Sequence, residues 1–210
     1  MLDYRPEDDF ESLMARIDQT ALQLGGERFD LLGQSYGGWI AQCAAARWPA
    51  RVRRMVLSHS FALSRSHARY FRWGERIMRV IPPSILAPLL LRRIRRALEP
   101  VRLALPELYR RQDAALASAV RSPRYLATLA AQQRCLRESL AMTGGGRGGD
   151  LPVLIIESAN DPLIGAAARA RLRSRFPAAR VHCFPRAGHV SAVVEPDAYT
   201  ALVEEFLRSP

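Results

Sequence analysis

Near the start of the chain, Phe10, Leu13, Met14, Ile17, Ala21 and Leu24 recur at steps of three and four. That spacing predicts a one-sided helix, stopped by Gly25-Gly26. Phe29 to Leu32 is a short apolar run that enters Gly33-Gln34-Ser35-Tyr36-Gly37-Gly38. Ile40, Cys43 and Ala44 restore helical spacing up to Trp48-Pro49, and Val52 to Ser58 reads as a strand around Met55-Val56-Leu57. Apolar strands alternating with helices predict a parallel sheet covered on both faces.

The rhythm then changes. Nothing between about 61 and 143 has strand periodicity. Trp73, Ile77, Val80 and Ile81 share one helical face, and Leu86, Leu90, Ile94 and Leu98 step by four along another. Pro82-Pro83, Pro100, Pro106 and Pro123 divide the stretch into short helices. This reads as a helical insertion ending in a flexible return loop, Thr143-Gly144-Gly145-Gly146-Arg147-Gly148-Gly149. The α/β rhythm resumes with a buried strand from Pro152 to Glu157. A helix over 163–175 places Ala168, Leu172 and Phe176 at steps of four. Arg180 to Phe184 is a strand, and a last helix carries Tyr199, Leu202, Val203, Phe206 and Leu207. The expected organisation is an α/β core over 1–60 and 147–210, interrupted by a helical cap over 61–146.

Composition is that of a globular domain, with 49% hydrophobic and 24% charged residues in 210. The net charge of +11 is carried by 31 arginines and no lysine, which reads as a composition bias. All of the imbalance lies in residues 61–150, with 17 Arg against 6 acidic residues. Leu89 to Leu98 is amphipathic and basic there, suited to anionic substrates, an acidic carrier or a membrane surface, or simply a solvated face. No nucleic-acid-binding module accompanies the arginines, so nucleic acid is not an expected partner. The longest greasy run, Ile85 to Leu91, contains Pro88 and is too short for a membrane span. Cys43, Cys135 and Cys183 form no disulfide framework, which points to reduced thiols in the cytoplasm.

The candidate chemistry begins at Gly33-Gln34-Ser35-Tyr36-Gly37, a Gly-x-Ser-x-Gly set between a strand and a helix. That context fits a nucleophile elbow. Small residues at 33 and 37 let strand and helix pass closely, and the helix N-terminus favours developing negative charge. A serine needs a base. Of His59, His67, His182 and His189, the last follows the strand ending at Phe184-Pro185 and so falls on the same sheet edge as Ser35. His182 lies inside a strand and His67 inside the insertion, while His59 ends a strand, where it is either a plain polar strand end or a candidate pocket residue. The base needs a carboxylate on its other nitrogen, and Asp161 follows its own strand in Ser158-Ala159-Asn160-Asp161-Pro162. No cluster has metal-ligand spacing, so neither metal nor organic cofactor is expected.

On these residues the chain resembles the α/β-hydrolase fold superfamily, of the serine esterase and acyl-hydrolase kind. The matching pieces are Leu32 to Trp39, Asn160 to Ile164, and Ala187-Gly188-His189 with Glu195-Pro196 beyond. Gly37 to Gln42 and Leu57 to Phe61 are also similar to maspardin-like members. The resemblance implies Ser35 as nucleophile, His189 as base, Asp161 as orienting acid and the Tyr36 backbone N–H as one oxyanion donor. It implies that the helical insertion roofs an acyl pocket.

Members of that family carry further strands before the elbow strand and a loop, often His-Gly-rich, that supplies a second oxyanion donor. Here Leu2 to Pro6 reads as the tail of the last such strand, and no His-Gly pair precedes Ser35. The expectation is that Met1 is an internal methionine or that the chain is a natural fragment. The elbow strand then forms an apolar sheet edge, open to a partner strand or a homodimer. The expected activity is hydrolysis of a small-molecule carboxylic ester or thioester through an acyl-enzyme. The alternatives are a non-catalytic binding protein of the same fold and an inactive fragment.

Overall fold

Apolar runs flanked by helices at both ends of the chain become one parallel sheet in the computed structural model, which describes residues 4–144 and 150–209. In chain order the elements are α1 (Phe10–Gln23), β1 (Phe29–Gln34), α2 (Tyr36–Arg47) and β2 (Val52–Ser58). Then come α3 (Ala68–Val80), α4 (Pro83–Ala97), α5 (Glu99–Ala104), α6 (Pro106–Val120) and α7 (Pro123–Ser139). The last are β3 (Val153–Ser158), α8 (Ala166–Arg175), β4 (Arg180–Phe184), α9 (Ser191–Val194) and α10 (Pro196–Arg208). No strand lies between β2 and β3 among the described residues. Of the glycine-rich return loop, Gly145 to Gly149 fall outside the described residues, as do Leu2 and Asp3.

The strands lie in the order β1-β2-β3-β4, all parallel. Successive side chains point to opposite faces, so the sheet sorts its own core. Val52, Met55, Leu57, Val153 and Ile155 face Ala41 and Ala45 of α2 and Leu172 of α8. Val56, Leu154 and Ile156 face Tyr199, Leu202, Val203 and Phe206 of α10. Every residue of β3 is buried, as a strand covered on both sides requires. β1 and β4 end the sheet; Leu32 on β1 is 51% exposed.

The chain divides into two compact units. The sheet unit comprises Glu27–Ala62, Arg96–Tyr109 and Gly145–Pro210. The other comprises Met1–Gly26, Leu63–Arg95 and Arg110–Gly144. In this helical unit, α1 buries Phe10, Leu13, Met14, Ile17 and Ala21. Asp9 and Ser12 close a reciprocal capping box at its start. Leu24, read as part of the buried face, is instead the C-cap residue and 82% exposed.

Two other faces differ from the sequence pattern. On α3 the stripe of Trp73, Ile77 and Val80 points outward, with Trp73 59% and Val80 69% exposed, and Phe71 is buried instead. On α4 the buried residues are Leu86, Ala87, Leu91 and Ala97, of which Ala87 and Leu91 pack with Val120 of α6. Leu90 and Ile94 only flank that cluster. Pro88 sits inside α4 without ending it.

Candidate active site

The strand register brings the candidate residues to one edge. Gln34 pairs with Ser58, Ser58 with Ile156, and Ser158 with Phe184. Ser35, His59, Asp161 and His189 all follow these C-terminal strand ends, where ligands bind in open α/β sheets.

Ser35 joins β1 to α2 with φ 53° and ψ −117°, a backbone conformation that L-residues avoid. Such strain costs about 1–3 kcal/mol and persists only where neighbours enforce it. Here Ser35 N–H donates to the Ser58 carbonyl at 2.9 Å, and its own carbonyl accepts from Ser60 Oγ at 3.0 Å and Gly38 N–H at 3.1 Å. A Cβ on Gly33 would collide with the Gly37 carbonyl, and a Cβ on Gly38 with the Ser60 side chain. Gly33 must therefore clear the backbone of Gly37, and Gly38 makes a further close approach, to Ser60. Gly38 was readable as the second glycine of the pair, but nothing local in the sequence points to Ser60.

His189 lies between β4 and α9. Gly188 turns the chain at φ 61°, where a Cβ would strike Pro100, and its N–H donates to Asn160 Oδ1 at 2.9 Å. His189 Nδ1 lies 2.9 Å from Asp161 Oδ2 and 3.1 Å from Oδ1. Since Asp161 accepts, Nδ1 carries the proton and Nε2 is left with the basic lone pair. Gln34 Nε2 donates to the His189 carbonyl at 3.1 Å, which ties the elbow to the histidine loop. His189 is buried except for a small exposed part, whereas Ser35 is half-buried.

Asp161 is buried and its carboxylate takes four donors. Oδ1 accepts Leu163 N–H at 2.8 Å and Ile164 N–H at 3.0 Å. Oδ2 accepts His189 Nδ1–H and, at 3.0 Å, His59 Nδ1–H. Burial pushes this carboxyl up, but the hydrogen bonds from His189 and His59 outweigh it and hold the group well below the usual carboxylate range.

His59, expected as a pocket candidate, is 1% exposed with φ 48°. Both of its ring nitrogens are engaged, Nδ1 with Asp161 and Nε2 with Ser191 Oγ at 2.8 Å. Its ring meets that of His189 edge-on, with centroids 5.4 Å apart. His59, Asp161 and His189 present donor atoms within 4.8 Å of one another. The nitrogens stand at hydrogen-bond distance from the carboxylate, and each bond already holds a proton. Of the other histidines, His67 lies in the helical unit, where it caps a short turn with Ser64, and His182 stacks edge-on with Phe184 on β4.

A family model for the alpha/beta hydrolase fold matches residues 4–196, and the chain belongs to that family. Solved structures agree on the fold. MGS-M2, an alpha/beta hydrolase enzyme from a Medee basin deep-sea metagenome library, is 19% identical with a TM-score of 0.75, over 97% of this chain and 74% of that one. The enol-lactonase from Burkholderia xenovorans LB400 is 21% identical with a TM-score of 0.67, over 99% and 75%. A thermophilic esterase from Thermogutta terrifontis is 19% identical with a TM-score of 0.74, over 96% and 72%. The search of curated proteins found no match. No helix among the described residues is long and apolar enough to cross a membrane.

Proposed function

We propose that the protein is a serine hydrolase that cleaves a small-molecule carboxylic ester or thioester through a Ser35–His189–Asp161 triad. The observation that carries this reading is the left-handed Ser35 at a strand–helix junction, tied through Gln34 to a histidine whose Nδ1 is held by a buried carboxylate. An idle glycine-rich turn requires neither the strained serine nor the oriented histidine.

Ser35 Oγ attacks the acyl carbon while His189 Nε2 takes the hydroxyl proton. The carbonyl π pair moves to oxygen, and the oxyanion is met by the Tyr36 N–H at the start of α2. The tetrahedral adduct collapses, the bond to the leaving group breaks, and Nε2 returns the proton to the departing alcohol or thiol. A water molecule then loses a proton to Nε2 and attacks the acyl-serine. Collapse frees the carboxylic acid and returns the proton to Oγ. Asp161, anionic throughout, holds Nδ1–H and favours the imidazolium.

A fluorophosphonate probe tests this, because it modifies only an activated serine. Covalent labelling of the wild type, read by intact mass and lost in Ser35→Ala and His189→Ala, is the expected result. A folded wild-type chain that resists the probe and leaves p-nitrophenyl acetate intact would instead be a binding protein on this fold.

A further inference from the structure

Asp161 belongs to two Ser-His-Asp constellations. Besides His189, it accepts from His59 Nδ1 at 3.0 Å, and His59 Nε2 lies 2.8 Å from Ser191 Oγ. In outline the second set is itself a triad. Ser191 is 0% exposed, however, so an acyl group has no route to its hydroxyl. The set must serve something other than nucleophilic attack.

Its proton arrangement follows from its donors. The Ser191 backbone N–H points at His59 Nε2 at 3.4 Å, which makes Nε2 an acceptor. The Ser191 hydroxyl donates to the same lone pair, so the His59 proton is on Nδ1 and is given to Asp161 Oδ2. Ser191 lies two residues beyond His189. The network is therefore a closed ring running from His189 to Asp161, to His59, to Ser191 and back along the backbone.

We propose that His59, anchored by Ser191, is a positioning residue that acts on His189 through Asp161. Two backbone N–H groups pin Oδ1. Oδ2 is the oxygen that His59 and His189 share, so His59 gives it a second donor beside the base and resists pivoting of the carboxylate about Oδ1. His189 then keeps one tautomer and one ring orientation. The backbone of His59 is consistent with a residue selected for its side chain, since it occupies φ 48° beside a buried acid rather than yielding the position to glycine.

This inference rests on the hydrolase reading for its kinetic consequence but not for its structural one. The test uses the full chain as His59→Leu, His59→Asn and Ser191→Ala, with two readouts. One is kcat and KM on p-nitrophenyl acetate. The other is the His189 Nδ1–H resonance in proton–nitrogen NMR, assigned with His189→Ala, which reports without turnover. In His59→Leu, kcat is expected to fall by roughly 10- to 100-fold, the loss typical of a misplaced or unsupported group, with KM little changed. The His189 resonance is expected to broaden or move. His59→Asn keeps a donor near Nδ1 and tolerates positive φ, so it restores most of both signals. Ser191→Ala produces a smaller change in the same direction, and it carries the test if leucine at this backbone geometry prevents folding. An unmoved His189 resonance in the folded variants overturns the proposal, and so does wild-type kcat in His59→Leu. If no variant and no wild type hydrolyses ester, the hydrolase reading fails, and the NMR signal alone still decides whether His59 positions His189.

Discussion

Gln34 reaches from the end of β1 to the backbone carbonyl of His189, donating through Nε2 at 3.1 Å. The residue before the candidate nucleophile thus holds the loop of the candidate base. Replacing Gln34 by Ala removes one net hydrogen bond, worth about 0.5–1.5 kcal/mol. The expected outcome is a loss of roughly 3- to 10-fold in kcat/KM on p-nitrophenyl acetate, by the usual conversion of free energy to rate. The melting temperature should shift little. A variant with wild-type kinetics would show that the contact does not align the two loops.

The elbow leaves no space for added carbon. Gly33→Ala drives a methyl group into the Gly37 carbonyl, and Gly38→Ala drives one into Ser60 and the Gly33 carbonyl. Each should destabilise by about 1–3 kcal/mol, the usual cost of overpacking. Gly25→Ala is a useful contrast, because nothing lies within 4 Å there and only its φ of 75° opposes a side chain. Urea titrations of the three variants measure this. Equal stability of Gly33→Ala and wild type would remove the close strand–helix approach from the account.

Asp161 links the site to pH. Its folded pKa lies below the unfolded value of about 3.9, so ionised Asp161 contributes stability at neutral pH. That contribution is complete above the unfolded value and fades as pH falls from about 4 toward the lower folded value. Asp161→Asn has no carboxylate to titrate. The stability gap between wild type and Asp161→Asn, taken from urea unfolding, should therefore be widest near pH 7 and narrow below about pH 4. A gap independent of pH would mean that the carboxylate is not stabilised as a charge.

On α3 the outward stripe makes a contrasting pair. Trp73→Ser should change stability by no more than about 0.5 kcal/mol, because the ring is already largely in solvent. Phe71→Ala, two positions earlier but buried, should cost about 3–5 kcal/mol. Similar costs for the two would mean that Trp73 is covered in solution.

The strands and the sheet edge that carries Ser35, Asp161 and His189 were readable along the chain, because apolar runs and turn residues are local signals. β2 and β4 begin and end where the pattern puts them. The direction of the α3 stripe was not readable. Periodicity shows that a helix has an apolar side, but α3 has two, and only packing against α7 selects the one bearing Phe71. His59 was partly readable. Its strand-end position was visible, yet its partners Asp161 and Ser191 lie 102 and 132 residues away, and a hydrogen bond over that separation leaves no local trace. The collision at Gly38 was hidden for the same reason, since it depends on Ser60 across the strand pair.

The sheet follows chain order, and this sets the sequence in which it can be assembled. β1 and β2 are joined by 17 residues (35–51), whereas β2 and β3 are separated by 94 (59–152). Chain-closure entropy grows as the logarithm of length, so the second closure costs about 1.5 kcal/mol more than the first. Until it happens, Ser35 and His59 follow one pair of strands, β1 and β2, while Asp161 and His189 follow the other pair, β3 and β4. A refolding experiment that follows the His59–Asp161 contact would therefore time the joining of β2 to β3, and any activity should appear no earlier than that step.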